Sequence, residues 1–189
     1  MRIGFYPGCS LNGTSREYNE SVMAIGKAMG IDWMELKDWN CCGATAAHSM
    51  NKELSLALPT RILALAEKQG FQEIVVPCAS CYNRLSVAQY ELEKDETLKD
   101  DVLTVVGLPY LGTVKVLNVI QFIEKYIMDI LPDKIINPFT HQVACYYGCL
   151  LLRPHKILKF DRLEDPQSMD KIMSVLGATP IDWAFKTEC

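Results

Sequence analysis

The chain has 189 residues, of which 49% are apolar and 22% charged, and its formal net charge is −4 at pH 7. This composition is that of a globular protein and excludes a disordered or collagen-like chain, and the acidic balance argues against nucleic acid or an anionic membrane as a partner. The longest apolar stretch, residues 103–130, is broken by Pro109 and by charges, and the first residues lack the apolar run of a signal peptide, so we expect no membrane insertion and a cytoplasmic protein.

Short apolar runs alternate with segments whose apolar residues recur at helical spacing. The predicted strands are residues 2–6, 31–36, 73–77, 114–117, 142–147 and 180–185. The predicted helices are residues 14–29, 51–70, 119–131 and 169–176, together with a helix that begins at Cys78. Asn51 is expected to cap its helix and Pro59 to kink it. This alternation predicts an α/β fold of Rossmann-like βα units with a mostly parallel sheet.

The sequence also repeats itself. Residues 6–9 read Tyr-Pro-Gly-Cys and residues 146–149 read Tyr-Tyr-Gly-Cys, and each run follows a predicted strand. Farther along, the Ile-Asp-Trp of residues 31–33 recurs at residues 181–183. Two matches in the same order indicate an internal repeat.

The repeat divides the chain into two pseudo-repeated units. We expect a complete unit at residues 1–137 and the beginning of a second at residues 138–189. The second unit stops at Cys189, which corresponds to Cys41 of the first. The chain is therefore expected to be a piece of a longer protein.

Eight cysteines are too few for a small disulfide scaffold, and without a secretory signal they are expected to be buried, catalytic or metal-bound. Because the carboxyl ends of parallel strands meet at one edge of a sheet, five of these thiols are expected to meet at one point. These five are Cys9, Cys41, Cys42, Cys78 and Cys81. The last two open a helix, where the thiolate is favoured.

Several site chemistries are open to these cysteines. Cys78 and Cys81 alone could form a thioredoxin-like redox pair, which leaves Cys9 and the adjacent Cys41 and Cys42 unexplained. A structural zinc ion takes four ligands and would leave one thiol over, and cubane iron–sulfur clusters also take four. Five thiolates, two of them adjacent, favour a non-cubane multi-iron cluster with one bridging sulfur.

The pattern Cys9, Cys41-Cys42-Gly43, Cys78-x-x-Cys81 resembles the CCG, or cysteine-rich, domain. That domain occurs in the B subunit of heterodisulfide reductase and in relatives that serve anaerobic dehydrogenases. The second unit resembles the same B subunit in residues 144–154, 165–166 and 186–189. It keeps only the Cys149 and Cys189 positions of the second motif.

The resemblance implies an oxidoreductase of methanogenesis: the catalytic B subunit, which reduces the disulfide of coenzyme M and coenzyme B. Two non-cubane [4Fe–4S] clusters are implied in the complete protein, and each supplies one electron. The resemblance implies that five cysteines bind the first cluster and, as its ligands, form the catalytic site: Cys9, Cys41, Cys42, Cys78 and Cys81. Cys149 and Cys189 are implied to be part of the second.

The same resemblance implies a cytoplasmic multisubunit complex. Its electrons would arrive from the iron–sulfur C subunit, fed by the flavin-containing A subunit. The alternative within the family is an iron–sulfur electron-transfer subunit of a succinate, lactate or glycolate dehydrogenase. A zinc-stabilised scaffold without redox function is the alternative of another class.

The remaining polar and cysteine residues have simpler interpretations. Cys145 aligns with Phe5 in the repeat and is expected to be a buried apolar residue. Arg153, near Cys149, is a candidate for holding an anionic coenzyme. Arg61 is expected to lie on a solvated helix face.

Overall fold

The computed structural model describes residues 1–188. These residues form two compact units: the first is Met1–Asn118, and the second begins at Val119. The boundary predicted for the repeats, between residues 137 and 138, falls inside the second compact unit. The two-repeat division therefore stays a prediction.

The first unit is built on a four-stranded parallel sheet. In chain order its strands are β1 (Arg2–Phe5), β2 (Asp32–Glu35), β3 (Glu73–Val75) and β4 (Lys115–Leu117). In space the order is β2-β1-β3-β4, and each neighbouring pair is parallel. The predicted α/β class with a mostly parallel sheet is confirmed.

Six helices connect these strands: α1 (Gly8–Asn12), α2 (Arg16–Ala28), α3 (Ala46–Met50), α4 (Lys52–Lys68), α5 (Ala79–Lys94) and α6 (Glu96–Val106). Helix α4 begins as predicted, because the Asn51 side chain accepts a hydrogen bond of 2.9 Å from Leu54 N. Pro59 lies inside this helix and does not end it. Residues of α4 such as Ile62, Leu63 and Ala64 are fully buried, so this helix supplies much of the core.

The second unit contains less regular structure. It has α7 (Val119–Tyr126), a 3-10 turn (Pro132–Lys134), β5 (Gln142–Val143), α8 (Ser168–Val175) and β6 (Thr179–Pro180). The two strands pair in parallel. Cys145 is buried, as expected, in a cluster with Tyr147 and Leu152.

The strands predicted at residues 142–147 and 180–185 were too long. Past the first one or two residues, the backbone groups of these segments make hydrogen bonds other than the regular ones between paired strands. The Trp183 indole N–H donates to Cys145 O at 2.9 Å, and the backbone N–H groups of Tyr147 and Gly148 both donate to Lys186 O. The apolar and aromatic residues that suggested strands therefore pack in loops.

Each unit contains parallel strands that are joined through helices. When the two units are aligned by the residues that pair in these strands, the alignment differs from that of the sequence repeat. Asp32 N donates to Met1 O, and Thr179 N donates to His141 O in the same way. The pairing thus makes Thr179 the equivalent of Asp32, whereas the sequence match paired Asp32 with Asp182. The repeat itself stays a prediction, and this strand pairing gives the structural alignment of its two units.

Candidate metal centre

The five cysteines of the first unit lie at the carboxyl ends of three neighbouring strands. Cys9 lies in α1, directly after β1, and Cys41 and Cys42 lie in the loop that follows β2. Cys78 is the residue before α5, and Cys81 lies in its first turn, after β3. Since β1 lies between β2 and β3, these residues come to the same edge of the sheet.

At this edge the thiols form two groups. The Cys9 and Cys41 sulfurs lie 3.7 Å apart, and both residues are exposed. The Cys81 thiol, which is buried, makes hydrogen bonds with the thiols of Cys42 and Cys78. Adjacent in sequence, Cys41 contacts the first group and Cys42 the second, and a hydrogen bond between their own side chains connects the two groups.

Gly8 makes room for the buried group. Its φ is +67°, and a Cβ built on it would lie 2.9 Å from the Cys81 sulfur. Any other residue would meet both backbone strain and this sulfur. The Tyr-Pro-Gly-Cys run therefore needs glycine for a close approach of backbone and thiol.

Tyr6 lies beneath the thiols and was not predicted to belong to the site. Its side chain has no exposed surface, and its hydroxyl donates to Asn40 O at 2.9 Å. Burial raises the pKa of Tyr6, and the nearby thiols of Cys81, Cys42 and Cys41 raise it further. The ring therefore stays a neutral phenol, and the tyrosine common to residues 6–9 and 146–149 was the sequence signal for it.

Hydrogen bonds decide which thiols lose their protons. The bond from the Cys81 thiol lowers the pKa of Cys78 to about 5 despite burial, with help from the backbone N–H groups of Cys81 and Ser80. The same thiol lowers the pKa of Cys42 to about 7. Its bonds with Cys42 and Cys78 raise the pKa of Cys81, and burial raises that of Cys41.

These shifts favour the thiolate at Cys42 and Cys78, both of which are hydrogen-bonded to the Cys81 thiol. Thiolate is the form that binds metals, and five soft sulfur donors suit an iron–sulfur cluster. Within residues 1–188, no three His, Cys, Asp or Glu side chains are arranged to hold a single metal ion. The donor chemistry fits an iron–sulfur cluster.

The second unit provides one cysteine of the predicted site. Cys149 is half-buried, and its carbonyl accepts hydrogen bonds from Leu152 N and Arg153 N. The Tyr146 hydroxyl donates to Glu188 O at 2.6 Å, just as Tyr6 donates to the residue before Cys41. Cys189, the second predicted ligand, lies outside the described residues.

Arg153 has a carboxylate partner. Its guanidinium lies 3.7 Å from the Glu164 carboxylate, and both side chains are at least half exposed. An anionic coenzyme at Arg153 would have to share this charge with Glu164.

A comparison with protein-family models matches residues 3–86 to the cysteine-rich domain, CCG. The first unit is therefore a CCG cysteine-rich domain, and the five cysteines of the site lie within the matched residues. Over its full length the chain is also similar, at 25–28% identity, to proteins named as B subunits of heterodisulfide reductase or as like them.

Two curated relatives represent this similarity. The chain is 32% identical to the 8-methylmenaquinol:fumarate reductase membrane anchor subunit of Wolinella succinogenes, over 99% of this chain and 66% of that protein. It is 28% identical to the B subunit of the ferredoxin/F(420)H(2)-dependent CoB-CoM heterodisulfide reductase of Methanosarcina acetivorans, over 100% of this chain and 64% of that one. The chain thus spans slightly less than two thirds of these relatives.

A solved structure has the same fold. The crystal structure of a hypothetical protein from Helicobacter pylori superposes with a TM-score of 0.69 at 13% identity, over 96% of this chain and 33% of the other. Among residues 1–188, no helix combines the length and the apolar character needed to cross a bilayer.

Proposed function

We propose that this chain is the iron–sulfur subunit of a heterodisulfide reductase and holds a non-cubane [4Fe–4S] cluster on Cys9, Cys41, Cys42, Cys78 and Cys81. The observation that carries the proposal is the meeting of these five thiols at one sheet edge, above the buried Tyr6. When bound, such a cluster supplies one-electron steps.

The chain's own residues provide a buried side and an open side. Cys42 and Cys81 are buried and Cys78 is half-buried, and Tyr6 excludes water beneath them. Trp39 packs edge-on against Tyr6 with the ring centroids 5.5 Å apart. Cys9 and Cys41 are exposed, so a substrate or an electron partner would approach from their side.

The proposed reaction joins two electrons and two protons to a disulfide and gives two thiols. Its substrate would be the disulfide of coenzyme M and coenzyme B. A second cluster, on Cys149, Cys189 and ligands outside this sequence, would supply the other electron. We propose the iron–sulfur C subunit and the flavin-containing A subunit as the electron-donating partners in a cytoplasmic complex, which is the arrangement of heterodisulfide reductases.

A second candidate function is electron transfer in a related dehydrogenase of the succinate type. The observation that favours it is the 32% identity to a subunit of a fumarate reductase. In that case the five thiols would hold the same cluster, and no disulfide substrate would bind to the chain.

The first experiment measures iron, zinc and acid-labile sulfide in the natural full-length protein, purified without oxygen. About four iron and four sulfide per five-cysteine site support the proposal. Zinc without sulfide contradicts both candidate functions and leaves the scaffold alternative.

The second experiment adds the coenzyme M–coenzyme B disulfide to the reduced protein, with a viologen dye as electron donor. Release of two thiols for each pair of electrons supports the heterodisulfide reductase. Cluster reoxidation by fumarate in the presence of a fumarate-reducing catalytic partner, without thiol release, favours the electron-transfer function.

A further inference from the structure

The loop of residues 37–43 carries two adjacent ligands that face different thiol groups, so its backbone must be held accurately. One residue in it has an uncommon conformation: Asp38 has a φ of +60° and is the non-glycine residue with a positive φ among residues 1–188. A non-glycine residue keeps this conformation when its surroundings hold it there. The contacts of Asp38 therefore indicate what fixes the loop.

Those contacts come from Arg61 of α4. One guanidinium nitrogen, Nη2, donates to the Asp38 carboxylate at 2.6 Å, and the other, Nη1, donates to Asp38 O at 2.8 Å. Nη1 also donates to Asn40 Oδ1 at 3.0 Å. The planar fork of arginine matches this set of three acceptors, which a lysine could not span.

Asn40 passes this restraint to the cysteine. Its side-chain N–H₂ group donates to Cys41 O at 2.9 Å and to Leu58 O at 3.1 Å. The main-chain carbonyl of Asn40 accepts the hydrogen bond from the Tyr6 hydroxyl. Every polar group of the Asn40 side chain is thus occupied between α4 and the peptide that carries Cys41.

Helix α4 holds the other end of the loop as well. Just past its last turn, the Gln69 side chain accepts from Lys37 N and donates to Lys37 O, both at 3.0 Å. Counted from Leu58, Arg61 lies about one turn and Gln69 about three turns further along, so all three lie on one helix face. The loop is therefore attached to this face at three points.

We infer that Arg61 is a positioning residue, which holds Asp38 and Asn40 so that Cys41 and Cys42 present their sulfurs to the two thiol groups at once. The expectation of a solvated helix face for Arg61 is corrected by these contacts. The inference rests on the proposed function only in calling the bound group an iron–sulfur cluster. The placement of the two thiols holds for the metal-free chain too.

The test compares Arg61→Met and Arg61→Lys with the matched control Arg2→Met. Arg2 also pairs with an aspartate, Asp32, at 3.0 Å, but this pair is exposed and lies at the amino ends of β1 and β2. Loss of a residue that orients ligands costs roughly 10- to 100-fold in metal affinity. We expect that loss of iron affinity, measured against a chelator, in both Arg61 variants and an unchanged affinity in Arg2→Met.

A shift in the electron paramagnetic resonance spectrum of the cluster in the Arg61 variants is also expected, because a merely stabilising residue would leave it unchanged. Iron affinity and spectrum equal to wild type in Arg61→Met would overturn the inference. Should Arg61→Met fail to fold, Asn40→Asp serves instead. It keeps an acceptor for Arg61 but removes the donor to Cys41 O, and it has the same expected and contradicting results.

Failure of the proposed function can be distinguished from failure of the inference on Arg61. If the wild-type protein binds no iron, the proposed function fails, and the inference is decided by alkylation of the metal-free chain. In that case we expect Cys41 to react with iodoacetamide several-fold faster in Arg61→Met than in wild type, counted by mass spectrometry. Equal rates would overturn it.

Discussion

The segment before Cys41 in the first unit and the segment before Cys189 in the second are held by one contact of the same kind. Their ionic partners differ. In each, a tyrosine hydroxyl donates to the carbonyl of the preceding residue: Tyr6 to Asn40 O, and Tyr146 to Glu188 O. The tyrosine is buried in the first unit and exposed in the second. The shared hydrogen bond alone therefore does not decide whether the tyrosine is buried.

The ionic partners differ in burial and charge. The first unit uses the partly exposed Arg61, whose contacts are to one carboxylate, one carbonyl and one amide. In the second unit, the Lys186 side chain is 5% exposed and its ammonium lies 3.0 Å from Asp165 and 3.4 Å from Asp170. The first segment is therefore held mainly by the hydrogen bonds of a partly exposed arginine, and the second by a buried charge.

The largest expected effect is at Cys42, one of the two adjacent cysteines that connect the thiol groups. Cys42→Ser replaces a buried thiol that bonds to Cys81 with a weaker metal ligand. We expect loss of the cluster of the first unit or its conversion to a four-thiolate type, seen in iron content and the paramagnetic spectrum. Cys145→Ala, a buried cysteine of the second unit, is the control and should leave both unchanged.

Removing the buried charge of the second unit should have the next largest effect. Lys186→Met leaves Asp170, which is mostly buried, without its cation. We expect the free energy of unfolding to fall by about 2 kcal/mol, less than for a fully buried pair because Asp165 is half exposed. Chemical denaturation measures it, with Lys171→Met on the exposed side of α8 as control, and an equal loss in both variants would contradict the comparison.

A matched pair of glycines tests the close approach to the thiols. Gly8 and Gly148 have φ values of +67° and +68°, so alanine is strained at both by about 1 kcal/mol. Only at Gly8 does the new Cβ meet a sulfur, at 2.9 Å, since at Gly148 the nearest atom is 3.6 Å away. We expect Gly8→Ala to lower iron affinity as well as stability, whereas Gly148→Ala lowers stability alone.

The smallest expected effect is a pH dependence of the second unit. The hydrogen bond from Lys186 holds the pKa of Asp165 below its usual value, with help from Gln167. Because the folded pKa is the lower one, the stabilisation is complete above about pH 4 and is lost as the pH falls through the folded pKa. Asp165→Asn should therefore flatten the acid limb of the stability curve, measured by denaturation between pH 2 and pH 6, and an unaltered limb would count against the pair.

Part of this site could be predicted from the sequence. Cysteines that follow the strands of a parallel sheet come to its carboxyl edge, so the meeting of the five cysteines of the first unit at this edge needed only the order of strands and helices. The division of the thiols into two groups could not be predicted. It depends on the different directions in which the side chains of Cys41 and Cys42 point.

Other features were missed because they depend on contacts between distant residues or on short elements. Nothing in the sequence near Arg61 indicates that it reaches Asp38, and a lone charge on a helix is usually solvated. Helix α1 has five residues, too few for a periodic pattern. The strands of the second unit were predicted too long, because their apolar and aromatic residues, such as Trp183, also pack well in loops.

The attachment of one loop to three points of α4 limits how this helix can change in length. An additional residue between Arg61 and Gln69 would rotate Gln69 by about 100° about the helix axis and move it along by about 1.5 Å. Both hydrogen bonds to Lys37 would then be lost, although no thiol had been altered. An insertion in the turn at Gly107, beyond the end of α6, would leave all three attachments in place. Variation in chain length is therefore tolerated at such turns and excluded within this helix.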